Sequence, residues 1–122
     1  MSRPAVIAIV DDDYSVREAL TSLVRSLGYI AVAFECADDL LKSKRRRVSC
    51  VIADVQMPGT TGLELYDRLV ASGDPIPTIL ITAFPDEGAR QHALQAGVNC
   101  YLPKPFSEDE LLACIRSILG TP

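Results

Sequence analysis

Histidine is almost missing from this chain and cysteine is scattered, and both facts narrow its chemistry. The single histidine is His92, and the four cysteines, Cys36, Cys50, Cys100 and Cys114, form no CxxC pair. No familiar zinc spacing can be assembled from that set. The cysteines read instead as small apolar side chains of a protein in a reducing cytoplasm. No apolar run nears the roughly 18 residues that a membrane span needs. Positive charge is in deficit: 12 basic against 16 acidic residues leave a net charge of −4. That balance argues against a domain-wide grip on nucleic acid or on an anionic membrane. Internal repeats, long linkers and low-complexity tracts are also missing. The opening MSRPAVIAIVDDD has a basic residue and an apolar run. Three aspartates stand where a signal peptide needs small neutral residues, so it reads as a first strand.

What is present suits one compact domain over residues 1–122, with 48% hydrophobic and 23% charged residues. Apolar runs of strand length alternate with longer stretches of helical period. Residues 5–10 form a continuous apolar run, as expected of a strand covered on both faces. Residues 15–27 follow as a helix with Val16, Leu20, Leu23, Val24 and Leu27 on one stripe, Ser15 and Glu18 as a capping box, and Gly28 at its end. Strands are expected at 30–34, 50–53, 78–82 and 100–102. Helices are expected at 37–43, from Thr61 to about 71, at about 87–96, and from Ser107 onward, where Leu111, Leu112, Ile115, Ile118 and Leu119 turn inward.

Five strands alternating with five helices imply a doubly wound parallel sheet in a three-layer α/β/α sandwich. Pro103 lacks a ladder donor, which places the fifth strand at an edge. The order 2-1-3-4-5 meets that constraint, as do others.

In such sheets ligands bind beyond the carboxyl ends of the strands. The first strand ends in Asp11-Asp12-Asp13, the third in Asp54, the fourth in Thr82-Ala83, and the fifth leads to Lys104-Pro105. Two carboxylates about 4 Å apart repel by about 4 kcal/mol at an effective dielectric of about 20. A hard divalent cation held by a few carboxylates and water relieves that conflict, which is the habit of Mg²⁺. Lys104 can meet an anion arriving at the metal, and Thr82 can donate to it. Carboxylate, metal, lysine and hydroxyl together make a phosphoryl-transfer site in which the carboxylate can be the nucleophile.

The motifs VDDD at 10–13, DVQMPGTTG at 54–62, ITA at 81–83 and YLPKPF at 101–106 resemble those of two-component response-regulator receiver domains, the CheY-like superfamily. The resemblance covers essentially the whole chain. VDDDYSVREAL and DVQMPGTTGLELYDRL are most similar to FixJ-type receivers, which precede a LuxR-like DNA-binding domain. It implies the flavodoxin- and CheY-like order 2-1-3-4-5 and makes Asp54 the phosphoacceptor for a sensor histidine kinase. By the same resemblance Asp11, Asp12, Asp54 and the backbone carbonyl of Gln56 hold Mg²⁺, which Mn²⁺ can replace. Thr82, the Ala83 backbone and Lys104 take the phosphoryl oxygens, Tyr101 is the switch aromatic, and the bond before Pro105 is cis. The output passes through the fourth helix, fifth strand and fifth helix to a DNA-binding domain or a downstream protein. It also allows a phosphorylation-driven homodimer. No direct nucleic-acid or membrane contact by this domain is implied, and the location is cytoplasmic. The implied protein is a signalling switch in transcription regulation whose only catalysis is its own phosphorylation and dephosphorylation.

Duller readings exist for each residue. Asp54 alone suits a helix cap or turn, Thr82 a strand, and Tyr101 strand-edge packing; only their shared rim singles them out. Asp13 reads as a solvated neighbour rather than a ligand. The basic run from Lys42 to Arg47 can suggest nucleic acid, but it reads better as a solvated loop away from the output face. Ala89, Ala93, Leu94 and Ala96 give the fourth helix a small-residue inner face, so it should be weakly held. Phe84 and Gln56 flank the site and are expected to tune water access and the lifetime of the acyl phosphate. Asn99-Cys100 stands where another receiver branch carries an acid for a dimer salt bridge, which argues against that dimer.

The rival classes are weaker. A haloacid-dehalogenase-like phosphotransferase wants an acid two residues after the nucleophile, where this chain has Gln56. A flavodoxin-like flavin carrier wants a phosphate loop where Asp11-Asp12-Asp13 would repel one. A degenerate receiver acting only as a binding module would not need Asp54, Thr82 and Lys104. The ending Gly120-Thr121-Pro122 suits a stand-alone receiver or, as the FixJ-like wording favours, the first part of a longer regulator.

Overall fold

Alternation within the first strand decides how one short segment serves two cores. In β1 (Val6–Val10), Ile7 and Ile9 face one side and Ala8 and Val10 the other, and all four are fully buried. The computed structural model describes residues 4–43 and 48–120. After β1 come α1 (Tyr14–Ser26), β2 (Ile30–Phe34), α2 (Ala37–Lys42), β3 (Val48–Asp54), α3 (Gly62–Ala71), β4 (Thr78–Thr82), α4 (Glu87–Ala96), β5 (Cys100–Pro103) and α5 (Glu108–Leu119). The strands pair in parallel in the order β2-β1-β3-β4-β5. The sheet is thus doubly wound, and the order reverses between β1 and β3.

One face of the sheet packs Ile7, Ile9, Ile52, Ile79, Ile81 and Leu102 against Leu20 and Val24 of α1 and Leu111 and Ile115 of α5. The other packs Ala8, Val10, Val51, Ala53 and Leu80 against α2, α3 and α4. Ending at Pro103 on the sheet edge, β5 keeps that missing N–H out of the ladder interior.

Three expectations need correction. First, α1 is capped by Asp13, whose Oδ1 accepts from the Val16 amide at 3.1 Å, so Ser15 lies inside the first turn and Glu18 instead accepts the Tyr14 hydroxyl. Asp caps as well as Ser does, and the aspartate run hid the start. Second, β3 begins at Val48 rather than at residue 50, because the register against β1 shifts between Val6 and Ile7 and Ser49 is the extra residue of a bulge. Third, Ala89 and Ala96 of α4 are exposed and only Ala93 is buried, with Leu94 half-buried. Of the cysteines only Cys50 is buried; Cys36, Cys100 and Cys114 are half-buried free thiols. Burial pushes the Cys50 and Cys114 thiols up to about 12. Residues 44–47 of the basic run lie outside the described residues, as do 121–122.

Candidate functional site

The carboxyl ends of β1, β3, β4 and β5 converge at one rim. Asp11 follows β1 at once, fully buried, and its amide still donates to Phe34 O of β2 at 3.2 Å. Asp54 is the last residue of β3 and is only 7% exposed. Thr82 closes β4, fully buried, and exposed Ala83 follows it. Lys104 leaves β5 directly, its amide donating to Thr82 O at 2.7 Å, and the Lys104–Pro105 peptide bond is cis.

Single oxygen atoms of Asp11, Asp12 and Asp54 all lie within 4.8 Å of one another. Asp54 is partnered on both oxygens. Its Oδ1 accepts from the Gln56 amide at 2.9 Å, and its Oδ2 accepts from Lys104 Nζ at 2.9 Å. Asp11 is not. Its Oδ1 takes the Asp13 amide at 2.9 Å, while its buried Oδ2 has no hydrogen-bond partner, with Lys104 Nζ 3.6 Å away. Burial holds the Asp11 carboxyl above its ordinary value, helped by the charges of Asp54 and Asp12 and opposed by the Asp13 amide and Lys104. Partial burial of Lys104 acts to lower its pKa, but the hydrogen bond to Asp54 and the charges of Asp11 and Asp54 outweigh it and the net shift is upward. One lysine thus serves two carboxylates, and a third, exposed Asp12, stands open beside them. An unpartnered buried oxygen in an acidic cluster suits a hard cation. A buried nucleophilic carboxylate beside a cation and a hydroxyl suits acyl-phosphate chemistry.

Thr82 lies at this rim but turns its hydroxyl elsewhere: Oγ1 donates to Gln56 Oε1 at 2.7 Å and accepts from the Phe84 amide at 2.9 Å. Tyr101 is half-buried against the α2–α4 core, with its hydroxyl buried and unpartnered. Phe84 is 73% exposed. Asp13 stays out of the cluster as the exposed cap of α1.

Two residues that sequence reasoning passed over shape the site. Arg17, on α1, donates from one guanidinium nitrogen to the Asp11 carbonyl at 2.7 Å, lies over the Tyr14 ring and reaches Glu35 at 3.9 Å. It ties α1 to the end of β1, and a lone arginine on a polar helix face carries no signal of that. Gly62 opens α3 so close to the site that a Cβ there would lie 2.5 Å from Asp54 O and 2.9 Å from a Leu80 methyl. It lies inside the quoted motif at 54–62, and that position was the available clue.

Comparisons with known proteins identify the family. The family model described as "Response regulator receiver domain" matches residues 7–116. The chain is 42% identical over 118 residues to the response regulator protein TodT of Pseudomonas putida, covering 96% of this chain and 52% of that protein. It is 40% identical to the response regulator MprA of a Mycobacterium species, of which it covers 51%. The chain therefore spans about half the length of these curated relatives. Among solved structures, a response regulator receiver protein from Burkholderia phymatum superposes with a TM-score of 0.83 at 40% identity, covering 98% of each chain. The FixJ-N structure superposes at 0.85 with 26% identity, over 94% of this chain and 93% of that one. The four-strand rim of acids, lysine and hydroxyl thus sits in a chain that belongs to the response-regulator receiver-domain family.

Proposed function

We propose that this domain is a phosphorylation-controlled switch of a two-component system, with Asp54 as the acceptor. The observation that carries it is the state of Asp54: nearly buried, ending β3, with Lys104 on one oxygen and two further carboxylates alongside. The donor is the phosphohistidine of a sensor kinase. An Asp54 oxygen attacks phosphorus, a P–O bond forms as the P–N bond breaks, and the leaving imidazole nitrogen keeps the electron pair. Asp11, Asp12 and Asp54, with the Gln56 carbonyl, would hold Mg²⁺ or Mn²⁺, and the unpartnered Asp11 oxygen supports that ligand set. Such a metal, when bound, neutralises charge on the transferring phosphoryl group. Lys104 pairs with a phosphoryl oxygen once it leaves Asp54, and the Thr82 hydroxyl and Ala83 amide take others.

The change then spreads along β4 to β5 and α4. Tyr101 has reason to move, since a buried hydroxyl without a partner costs about 1–3 kcal/mol. It lines a cleft of about 340 Å³ with Pro85, Asp86, Glu87, Arg90 and Pro103. We assign this cleft between α4 and β5, together with the α5 surface, to the output partner, an effector domain or a second copy after phosphorylation. Catalysis beyond self-phosphorylation and hydrolysis of the acyl phosphate is not part of this reading, and its setting is the cytoplasm. No described helix is long and apolar enough to cross a membrane.

Intact mass after incubation with acetyl phosphate and Mg²⁺ tests the reading. The expected result is a labile gain of one phosphoryl group, lost without Mg²⁺ and in Asp54→Asn. No gain would leave a binding module on a receiver fold.

A further inference from the structure

Thr82 has one hydroxyl proton, and the structure shows where it is spent. Thr82 Oγ1 accepts from the Phe84 amide at 2.9 Å and donates its own proton to Gln56 Oε1 at 2.7 Å. Meanwhile both Asp54 oxygens are occupied, by the Gln56 amide and by Lys104 Nζ. The Thr82 hydroxyl is held by Gln56 rather than by Asp54. Gln56 follows β3 by two residues and Thr82 ends β4, so the bond ties the tips of neighbouring strands.

We propose that Gln56 is a positioning residue that latches Thr82 in the unphosphorylated state. A phosphoryl group on Asp54 gains the Thr82 proton only by breaking the Gln56–Thr82 hydrogen bond. This rests on the reading of Asp54 as acceptor and Thr82 as a donor to the phosphoryl group. The latch sets the resting level of the switch: the weaker it is, the more readily Thr82 engages a phosphoryl oxygen. Because Gln56 is exposed, water competes for the same groups and the latch is worth one net hydrogen bond. Its side chain acts here, whereas the proposed metal contact uses its backbone carbonyl.

The test measures fluoroberyllate affinity by calorimetry at saturating Mg²⁺ in a double-mutant cycle. Gln56→Met, which removes the acceptor at similar length, should bind about five-fold tighter than wild type, the worth of one net hydrogen bond. The gain should persist with Thr82→Ser, which keeps the hydroxyl, and vanish with Thr82→Ala. An equal gain with Thr82→Ala would show that Gln56 acts through water access or bulk, and would overturn the latch. No gain in any background would overturn it too. In the ligand-free protein, side-chain couplings of Thr82 by NMR should report one rotamer in wild type and averaging in Gln56→Met. Unchanged couplings would contradict the latch whatever the affinities. Failure of the wild type to bind fluoroberyllate at all would be a different result, removing the receiver reading and the latch with it.

Discussion

Asp11 shows how a single residue can be a burden on the fold that its site requires. Its carboxyl is fully buried with one oxygen unpartnered. Burial, with Asp54 and Asp12 nearby, raises its folded-state pKa above the ordinary 3.8. A raised acid binds its proton more tightly folded than unfolded. The resulting stabilisation is full below the unfolded value and is lost as pH rises through the folded one. Metal-free protein should therefore lose stability across that window, and Asp11→Asn should not. At pH 7 with a chelator the variant should melt at a higher temperature than the wild type. Added Mg²⁺ should stabilise the wild type and leave the variant nearly unchanged. Calorimetry across pH with and without Mg²⁺ checks both, and a lower melting point for the variant at pH 7 would refute the argument. At this scale the sequence was legible for Asp11, Asp12, Asp54 and Lys104, because strand ends are countable and the structure brings the four together. It was not legible for Arg17 or for the Gln56 side chain, whose partners are set by helix rotation and rotamer rather than by position along the chain.

Among the elements, the helix caps and α4 carry the lesson. Thr61 with Glu64 and Ser107 with Glu110 form complete capping boxes, a motif whose two halves are local and three residues apart. The cap of α1 was misplaced because Asp13 and Ser15 are both good caps, and only the path of the chain leaving β1 chooses between them. Helix α4 has less anchoring than its small-residue pattern suggested: Ala93 alone is buried, and Asp86 caps it by accepting from the Ala89 amide at 2.8 Å. By contrast α5 buries Leu111 and Ile115, and α1 buries Leu20, Thr21 and Val24. With so little apolar area removed from water, α4 should open locally before the other long helices. Native-state hydrogen exchange should show its amides exchanging at least ten-fold faster than those of α1 and α5. Equal protection would contradict this weak hold on α4. Gly97 ends the helix at φ +113 against the Tyr66 hydroxyl, so its C-terminus is the better fixed end.

For the molecule as a whole, the parallel sheet and its edge strand were legible from the residues, while the order 2-1-3-4-5 came from the resemblance to receiver domains, since Pro103 left other orders open. Apolar runs buried on both faces ask for a parallel sheet, and Pro103 asks for an edge, both of which the structure has. What stayed outside sequence reasoning was the resting arrangement of the rim, in which Thr82 is engaged by Gln56 and not by Asp54. That is a matter of which of several competing hydrogen bonds wins, and no periodicity encodes it. The proposed switch depends above all on which carboxylate would take the phosphoryl group, since three lie together and only Asp54 is paired at 2.9 Å with Lys104. Borohydride reduction of the acetyl-phosphate-treated protein, followed by peptide mapping, answers that directly, because an acyl phosphate of aspartate is reduced to homoserine. Homoserine at position 54 alone, dependent on Mg²⁺, is the predicted result. Homoserine at position 11 or 12, or at none, would contradict it.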